Sequence, residues 1–492
     1  MRMASFLGAL VLASLPVLPA MAENMTPEDI QKLVDAAVNK RMQNYERQED
    51  NSERRKDSTA STPEPGLGTL PEVGKDPRTE KPQSLSFGSS GSGRLVYAKP
   101  FVASPKAIVG GYFDIQYRSH NKSVIENGYT GTPNGFDQQR FVPFIYADIT
   151  EHVKFASELE IEHGIRGKDG ANEISLEFAH IDYLINEPFN LRAGILLIPI
   201  GKFNLLHDSP LNDLTDRPLV SRLVIPSTLA ETGAGFYGTF YPGRTGKLDY
   251  ELYVTTGPCG TKSTGEPLVT ESGGTSKARQ RKCASDDGFD VNAGKAVSGR
   301  VAFSPMLGIE VAASGYHGNS APGPNYNPLT IGAIDWTLQK GPFELIGEAA
   351  WAYARNNAHA IQGATFATPG SLLSGTSYSM NPLGTAPQRL HGYYIQGNYH
   401  FMPDFLRQWS PKRFGEGSTF TAVIRYDRVN LNMDNTGESK GDLEQISFGL
   451  NYRPIEDAVF KISYQYMPKS YNPNSSQRIH DSALVLSAAT YF

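Results

Sequence analysis

Residues 444–453 read Glu-Gln-Ile-Ser-Phe-Gly-Leu-Asn-Tyr-Arg. Ile446, Phe448, Leu450 and Tyr452 fall on one parity; Gln445, Ser447, Gly449, Asn451 and Arg453 fall on the other. A period of two is that of a β-strand, whose successive side chains point to opposite faces. One face here is apolar and ends in an aromatic ring, and the other is polar. The same alternation returns at 420–427, where Phe420, Ala422, Ile424 and Tyr426 oppose Thr421, Val423, Arg425 and Asp427. At 459–467, Phe460, Ile462, Tyr464 and Tyr466 oppose Lys461, Ser463 and Gln465. It is also present at 153–162, 309–316, 331–339 and 343–353.

A soluble sandwich and a transmembrane barrel both produce such strands. Three features favour the barrel. The segments are about 10–12 residues long, enough to cross a bilayer when tilted. Tyr, Phe and Trp gather near the ends of the apolar face, where interfacial girdles form. The chain ends on Phe492, an aromatic closing an alternating strand. About sixteen strands are predicted, starting near 107, 139, 152, 173, 188, 230, 247, 296, 307, 329, 342, 390, 417, 442, 456 and 481. The connections alternate between short turns, such as Thr150-Glu151 and Lys340-Gly341, and long loops, such as 201–229, 258–295 and 354–389. Phe401 to Gly417 is the exception, long for a turn. Alternation of this kind places the short turns and both termini in the periplasm. The predicted fold is therefore all-β: a 16-stranded antiparallel transmembrane barrel over 95–492, with a short N-terminal periplasmic helix.

Upstream, 1–22 has the form of a secretory signal. Arg2 supplies the positive start, 6–15 a short apolar run, and Ala20-Met21-Ala22 the cleavage site. Thr26-Pro27-Glu28-Asp29 then opens a helix, and Ile30, Leu33, Val34, Ala37, Val38, Met42 and Tyr45 give it an apolar stripe. This helix, within 23–57, is expected to join copies of the chain as a coiled coil, or else to dock loosely. Residues 58–94, rich in Ser, Pro and Gly, form a linker. Cys259 and Cys283 are the two cysteines, and export favours a disulfide between them.

Composition agrees with this division. Mean hydropathy is −0.36, which excludes a bundle of transmembrane helices. It fits strands that show one face to lipid and the other to water. The formal charge of −5 gives no reason to expect a nucleic-acid partner. No nucleophile elbow, HExxH or glycine-rich phosphate loop is present, so no catalytic residues are assigned. No cofactor and no metal site are expected.

Sixteen strands leave an aqueous lumen, so a pore for passive diffusion of small hydrophilic solutes or inorganic ions is the expected function. Parity puts Asp114, Arg140, Asp148, Lys154, Glu158, Glu160, Glu162, Arg192, Asp249, Glu251, Arg300, Asp335, Glu348, Arg425, Arg453 and Lys461 on its wall. Acids outnumber bases there, and neither a ring of acids nor a ring of Arg and Lys emerges. In 173–186, Glu177 lies opposite in parity to Leu176 and Phe178, yet His180 and Asp182 share the apolar parity; a bulge would reconcile them. The connection 201–229 is too apolar and too Pro-punctuated for a surface loop. Folded inward, it would present Lys202, His207, Asp208, Asp213, Asp216, Arg217 and Arg222 to solute. Arg217 and Arg222 are the candidates for binding an anion; equally, they could pair with Asp213 and Asp216 to hold the loop.

Three stretches resemble the phosphate-selective porin O and P family: 110–114 (Gly-Gly-Tyr-Phe-Asp), 190–194 leading to Pro199-Ile200-Gly201, and Arg217-Pro218 to Ile225-Pro226 followed by 231–235. The resemblance covers roughly 95–492. It implies a trimeric outer-membrane channel in which the third extracellular loop narrows the pore, with anions such as phosphate among the solutes. The alternative reading is a barrel that scaffolds a periplasmic or outer-membrane partner, such as an electron-transfer cytochrome; the chain has no C-x-x-C-H motif, so any haem would be the partner's.

Overall fold

Sixteen strands close on themselves without an edge. They run β1 Ala107–His120, β2 Asn134–Asp148, β3 Val153–Glu162, β4 Glu173–Asn186, β5 Phe189–Leu197, β6 Ala230–Phe240, β7 Lys247–Thr255 and β8 Ala296–Met306. The second half is β9 Ile309–Asn319, β10 Pro328–Lys340, β11 Phe343–Ala354, β12 Arg389–Phe401, β13 Thr419–Asn430, β14 Asp442–Ile455, β15 Ala458–Tyr471 and β16 Arg478–Tyr491. This computed structural model describes residues 107–120, 134–164, 173–258, 269–271, 273–279, 294–319, 328–354, 387–415, 417–435, 441–471 and 478–492. The expected signal, N-terminal helix, linker and Cys259–Cys283 disulfide lie outside the described residues.

Every strand pairs antiparallel with its sequence neighbours, and β1 closes on β16 with Tyr112 opposite Tyr491 and His120 opposite Ala483. Lipid supplies no hydrogen-bond partners, so closure is what makes the spanning backbone tolerable. The seam is completed by the last residue: Phe492 N donates to Gly111 O at 3.0 Å, and Gly111 N donates to Phe492 O at 3.1 Å. A Cβ at Gly111 would stand 2.8 Å from the Phe492 ring and 2.3 Å from Val142 O, so only glycine admits this approach. The Phe492 ring stacks on Phe141 at 5.8 Å.

The outer face is apolar along each strand, with Val254, Val301, Ile334, Ile424, Phe448 and Phe460 all exposed. Aromatic rings form a continuous run near the short-turn rim. Phe343 meets Tyr399 at 4.9 Å, Tyr399 meets Phe401 at 5.6 Å, Phe401 meets Phe420 at 5.9 Å, and Phe420 meets Tyr452 at 4.8 Å. Such a belt suits the membrane–water interface.

Most expected strand starts lie within three residues of the observed ones. β2 differs, beginning at Asn134 rather than near 139; a register shift between Asp114 and Gln116 opposite 137–140 lets the β1–β2 hairpin run on. The long connection after β12 contains a short helix, α2, Asp404–Trp409. The bulge anticipated in β4 is present: Glu158 faces Phe178 while Leu159 faces Leu176, leaving Glu177 as the additional residue.

Candidate functional site

Residues 198–229, between β5 and β6, run inside the barrel. The base of the excursion is fixed by Asn204, whose Nδ2 donates to Ile198 O at 2.8 Å and whose Oδ1 accepts from Leu229 N at 3.1 Å. At Gly201 the backbone turns with φ of 68°. A Cβ there would lie 2.4 Å from the Glu348 carboxylate, so the chain passes the wall closely. Beyond it, the segment meets the walls on opposite sides of the lumen.

Ahead of α1 its contacts are mainly polar. Lys202 donates to Glu310 on β9 at 3.1 Å and to Thr337 on β10 at 2.8 Å. Phe203 N donates to Glu348 on β11 at 3.2 Å. Asp213 accepts from Asn398 on β12 at 2.9 Å and Asn451 on β14 at 3.0 Å, with Arg453 at 3.4 Å. Arg453 also donates to Pro210 O at 2.7 Å, and Lys461 on β15 to Ser209 O at 2.5 Å. Tyr491 on β16 donates to Asp208 at 2.8 Å. Asp216 takes a forked pair from Arg118 on β1, at 2.7 and 3.1 Å, and a hydrogen bond from Gln465. Its carbonyl accepts from Arg425 at 3.0 Å.

The remainder of the segment is apolar. Helix α1, Val220–Leu223, with Val224, Ile225 and Leu229, packs against Leu329, Ile331, Ala350, Ala352, Leu390 and Val429 on β10–β13. Leu219 N donates to Asp427 at 3.0 Å, which ties the start of α1 to β13. A second inward element lies over it: Thr275 N donates to Leu223 O at 2.9 Å, and Thr275 Oγ1 to Val224 O at 3.0 Å. Apolar packing of this kind inside a barrel explains why 201–229 lacks the polarity of a surface loop.

Many of the wall charges expected from parity are arranged as ion pairs. Arg140 meets Glu160 at 3.0 Å and Glu162 at 3.1 Å. Arg192 forks onto Asp182 with two contacts of 2.8 Å, lies 4.5 Å over the Tyr237 ring, and reaches Tyr253 at 3.3 Å. Arg300 meets Asp335 at 2.6 Å, Arg425 meets Asp427 at 2.7 Å, and Lys154 bonds to Asp148. Most of these groups are buried against the inward segment, Glu158, Glu160, Glu348 and Arg425 among them. Pairing of Arg217 with Asp213 or Asp216 is not what forms. Arg217 bonds to Ser227 and lies 3.9 Å from Glu160 on β3, while its neighbour Asp216 is taken up by Arg118 on β1. Its Nε and Nη2 atoms are buried without a hydrogen-bond partner. Arg222, in the last turn of α1, is half-buried.

Sequence reasoning did not single out Arg118, Gln465 or Asp427, although all three hold the segment. Arg118 shares the lumen parity of Asp114, but nothing local marks it as a partner of Asp216, 98 positions away. A cavity of about 560 Å³ remains beside the segment, lined by Lys202, Asn212, Asp213, Lys247, Glu310 and Glu344.

Residues 126–492 match the sequence model described as phosphate-selective porin O and P. A protein of Aquifex aeolicus (strain VF5), described as uncharacterized, is 27% identical over 391 residues, covering 76% of this chain and 78% of that one. Among solved structures, the anion-selective porin from Comamonas acidovorans is similar with a TM-score of 0.46 and 10% identity, over 78% of this chain and 99% of its own. The outer membrane channel DcaP of Acinetobacter baumannii gives 0.47 and 11%, over 78% and 97%.

Proposed function

This chain belongs to the phosphate-selective porin O and P family and is a channel of the bacterial outer membrane, and from that premise we propose that it is a constricted diffusion pore for small hydrophilic solutes, with a weak preference for anions such as phosphate. The observation that carries the reading is the course of 198–229, which crosses the lumen and bonds to walls on opposite sides. Charge selectivity then depends on the groups that water reaches. Wall charges of both signs are buried, Glu158, Glu160, Glu177, Glu348 and Asp335 among the acids and Arg140, Arg192, Arg300, Arg425 and Lys461 among the bases. On and beside the segment Lys202, Lys247, Arg222 and Arg453 keep partial access, against Asp208, Asp213 and Glu344. Arg and Lys lining a constriction favour anions.

A threaded partner such as a cytochrome would need the lumen that the segment occupies, which favours the pore over the scaffold. Homotrimer assembly is part of the same proposal, and cross-linking in outer membranes tests it. For selectivity, the test is the reversal potential of the reconstituted full chain in a planar bilayer under a salt gradient. A reversal potential of anion-selective sign, reduced by Lys202→Glu, is expected. Cation preference in the unmodified channel would refute the anion reading.

A further inference from the structure

Glu158 on β3, Glu177 on β4 and His207 on the inward segment bring one ligand atom each to within 4.8 Å of one another, and all three side chains are buried. No spacing in the sequence announces this group, because its members come from three separate elements. Glu177 reaches it through the bulge, which adds a residue to β4 at that point. His207 is oriented from behind. Its Nδ1 lies 3.0 Å from Asn204 O, and a carbonyl only accepts, so Nδ1 carries a proton. Its Nε2 lies 2.7 Å from Glu177 Oε2, an ion pair when the ring carries both protons, and a metal ion would take the place of the Nε2 proton. A backbone carbonyl holding one ring nitrogen so that the other can ligate is the usual support of a metal-binding histidine.

The carboxylates point to the same ligand. Glu158 Oε1 and Glu177 Oε1 are buried without a hydrogen-bond partner. The nearby guanidinium groups are directed elsewhere: Arg140 onto Glu160 and Glu162, and Arg217 toward Glu160. Among the described residues no Arg or Lys forms an ion pair with Glu158 or Glu177. Two carboxylates with unsatisfied oxygens beside one imidazole make a region of excess negative charge, which a cation would neutralise.

We propose that Glu158, Glu177 and His207 bind a divalent cation of the zinc class, which fastens the inward segment to the β3–β4 wall. One imidazole and two carboxylates suit such an ion, with water as a fourth ligand. Donors to zinc stand about 2.0–2.2 Å from the ion, so Nε2 and Glu177 Oε2, 2.7 Å apart here, would move apart to admit it.

The test uses the full chain purified in detergent, stripped with a chelator and dialysed against Zn²⁺ or Co²⁺. Expected are about one zinc per chain and a Co²⁺ visible spectrum of a low-coordinate nitrogen–oxygen site. His207→Gln and Glu158→Gln should weaken binding by roughly tenfold or more. Failure of the stripped wild-type chain to take up zinc would overturn the proposal and leave an imidazolium–Glu177 pair in its place. Unchanged affinity in both variants would overturn it as well. Should either variant lose the heat-dependent gel mobility of a folded barrel, the wild-type stoichiometry and Co²⁺ spectrum decide. Neither readout depends on conductance, so the result stands apart from the pore reading.

Discussion

His163 illustrates how a single side chain at the rim can make the barrel sensitive to pH. It follows β3 directly, takes a φ of 60°, and its Nδ1 lies 2.9 Å from Asp137 Oδ2 on β2. Burial alone would lower its pKa; the hydrogen bond and charge of Asp137, with Glu162 adding to them, outweigh burial and raise it above the ordinary value of 6.5. A group whose folded value is raised stabilises fully below the unfolded value and loses that contribution as pH climbs through the folded value. His163→Asn tests this, since Asn tolerates positive φ and cannot titrate. The wild type should unfold at a higher temperature than the variant near about pH 5.5, and the gap should shrink toward about pH 8.5. A gap independent of pH would show that the imidazole charge contributes nothing. The His163–Asp137 contact was not legible in the sequence, because it depends on a β2 that starts five residues earlier than alternation alone suggests.

At the scale of elements, strands were legible and their irregularities only partly so. Alternation survives in the sequence because each strand has a lipid face and a water face, and a shift of one residue would invert both. Strand ends lack that constraint once they leave the bilayer, as at Asn134. The inward course of 198–229 could be anticipated from its apolar residues, since a solvated loop would not carry Val220, Val224, Ile225 and Leu229 together. Its partners could not: Asp216 bonds to Gln465, 249 positions away, and no local pattern encodes such a contact. The element covering α1 is equally nonlocal and offers a sharp test. Gly274 has a φ of 53°, and a Cβ there would lie 1.8 Å from Leu223 O, a backbone atom that cannot swing aside. Gly274→Ala adds about 1–2 kcal/mol of left-handed backbone strain to that clash. The expected outcome is that 269–279 separates from α1 and is cut faster by an added protease, while the barrel unfolds at its usual temperature. A wild-type cleavage rate would mean that the close approach is not maintained in the membrane protein.

On the scale of the whole molecule, two structures are built from one chain and have different dependencies. The barrel closes through backbone pairing from β1 to β16, and none of that strand pairing involves 198–229. The segment, by contrast, is held by side chains of the barrel, through Asp213 and Asp216 on one side and Lys202 on the other. Weakening those anchors should therefore change the pore without unfolding the wall. In Asp213→Ala/Asp216→Ala, the links to Arg118, Asn398, Asn451, Arg453 and Gln465 are lost, leaving their donors in the lumen where water can satisfy them. The removal of two acids also leaves Arg118 and Arg453 uncompensated. Single-channel recordings should show higher conductance with more flicker, and a reversal potential displaced further toward anions. Gel mobility should still report a folded barrel. Unchanged conductance in a folded variant would mean that the apolar packing of α1 on β10–β13, and not the polar anchors, sets the width of the passage.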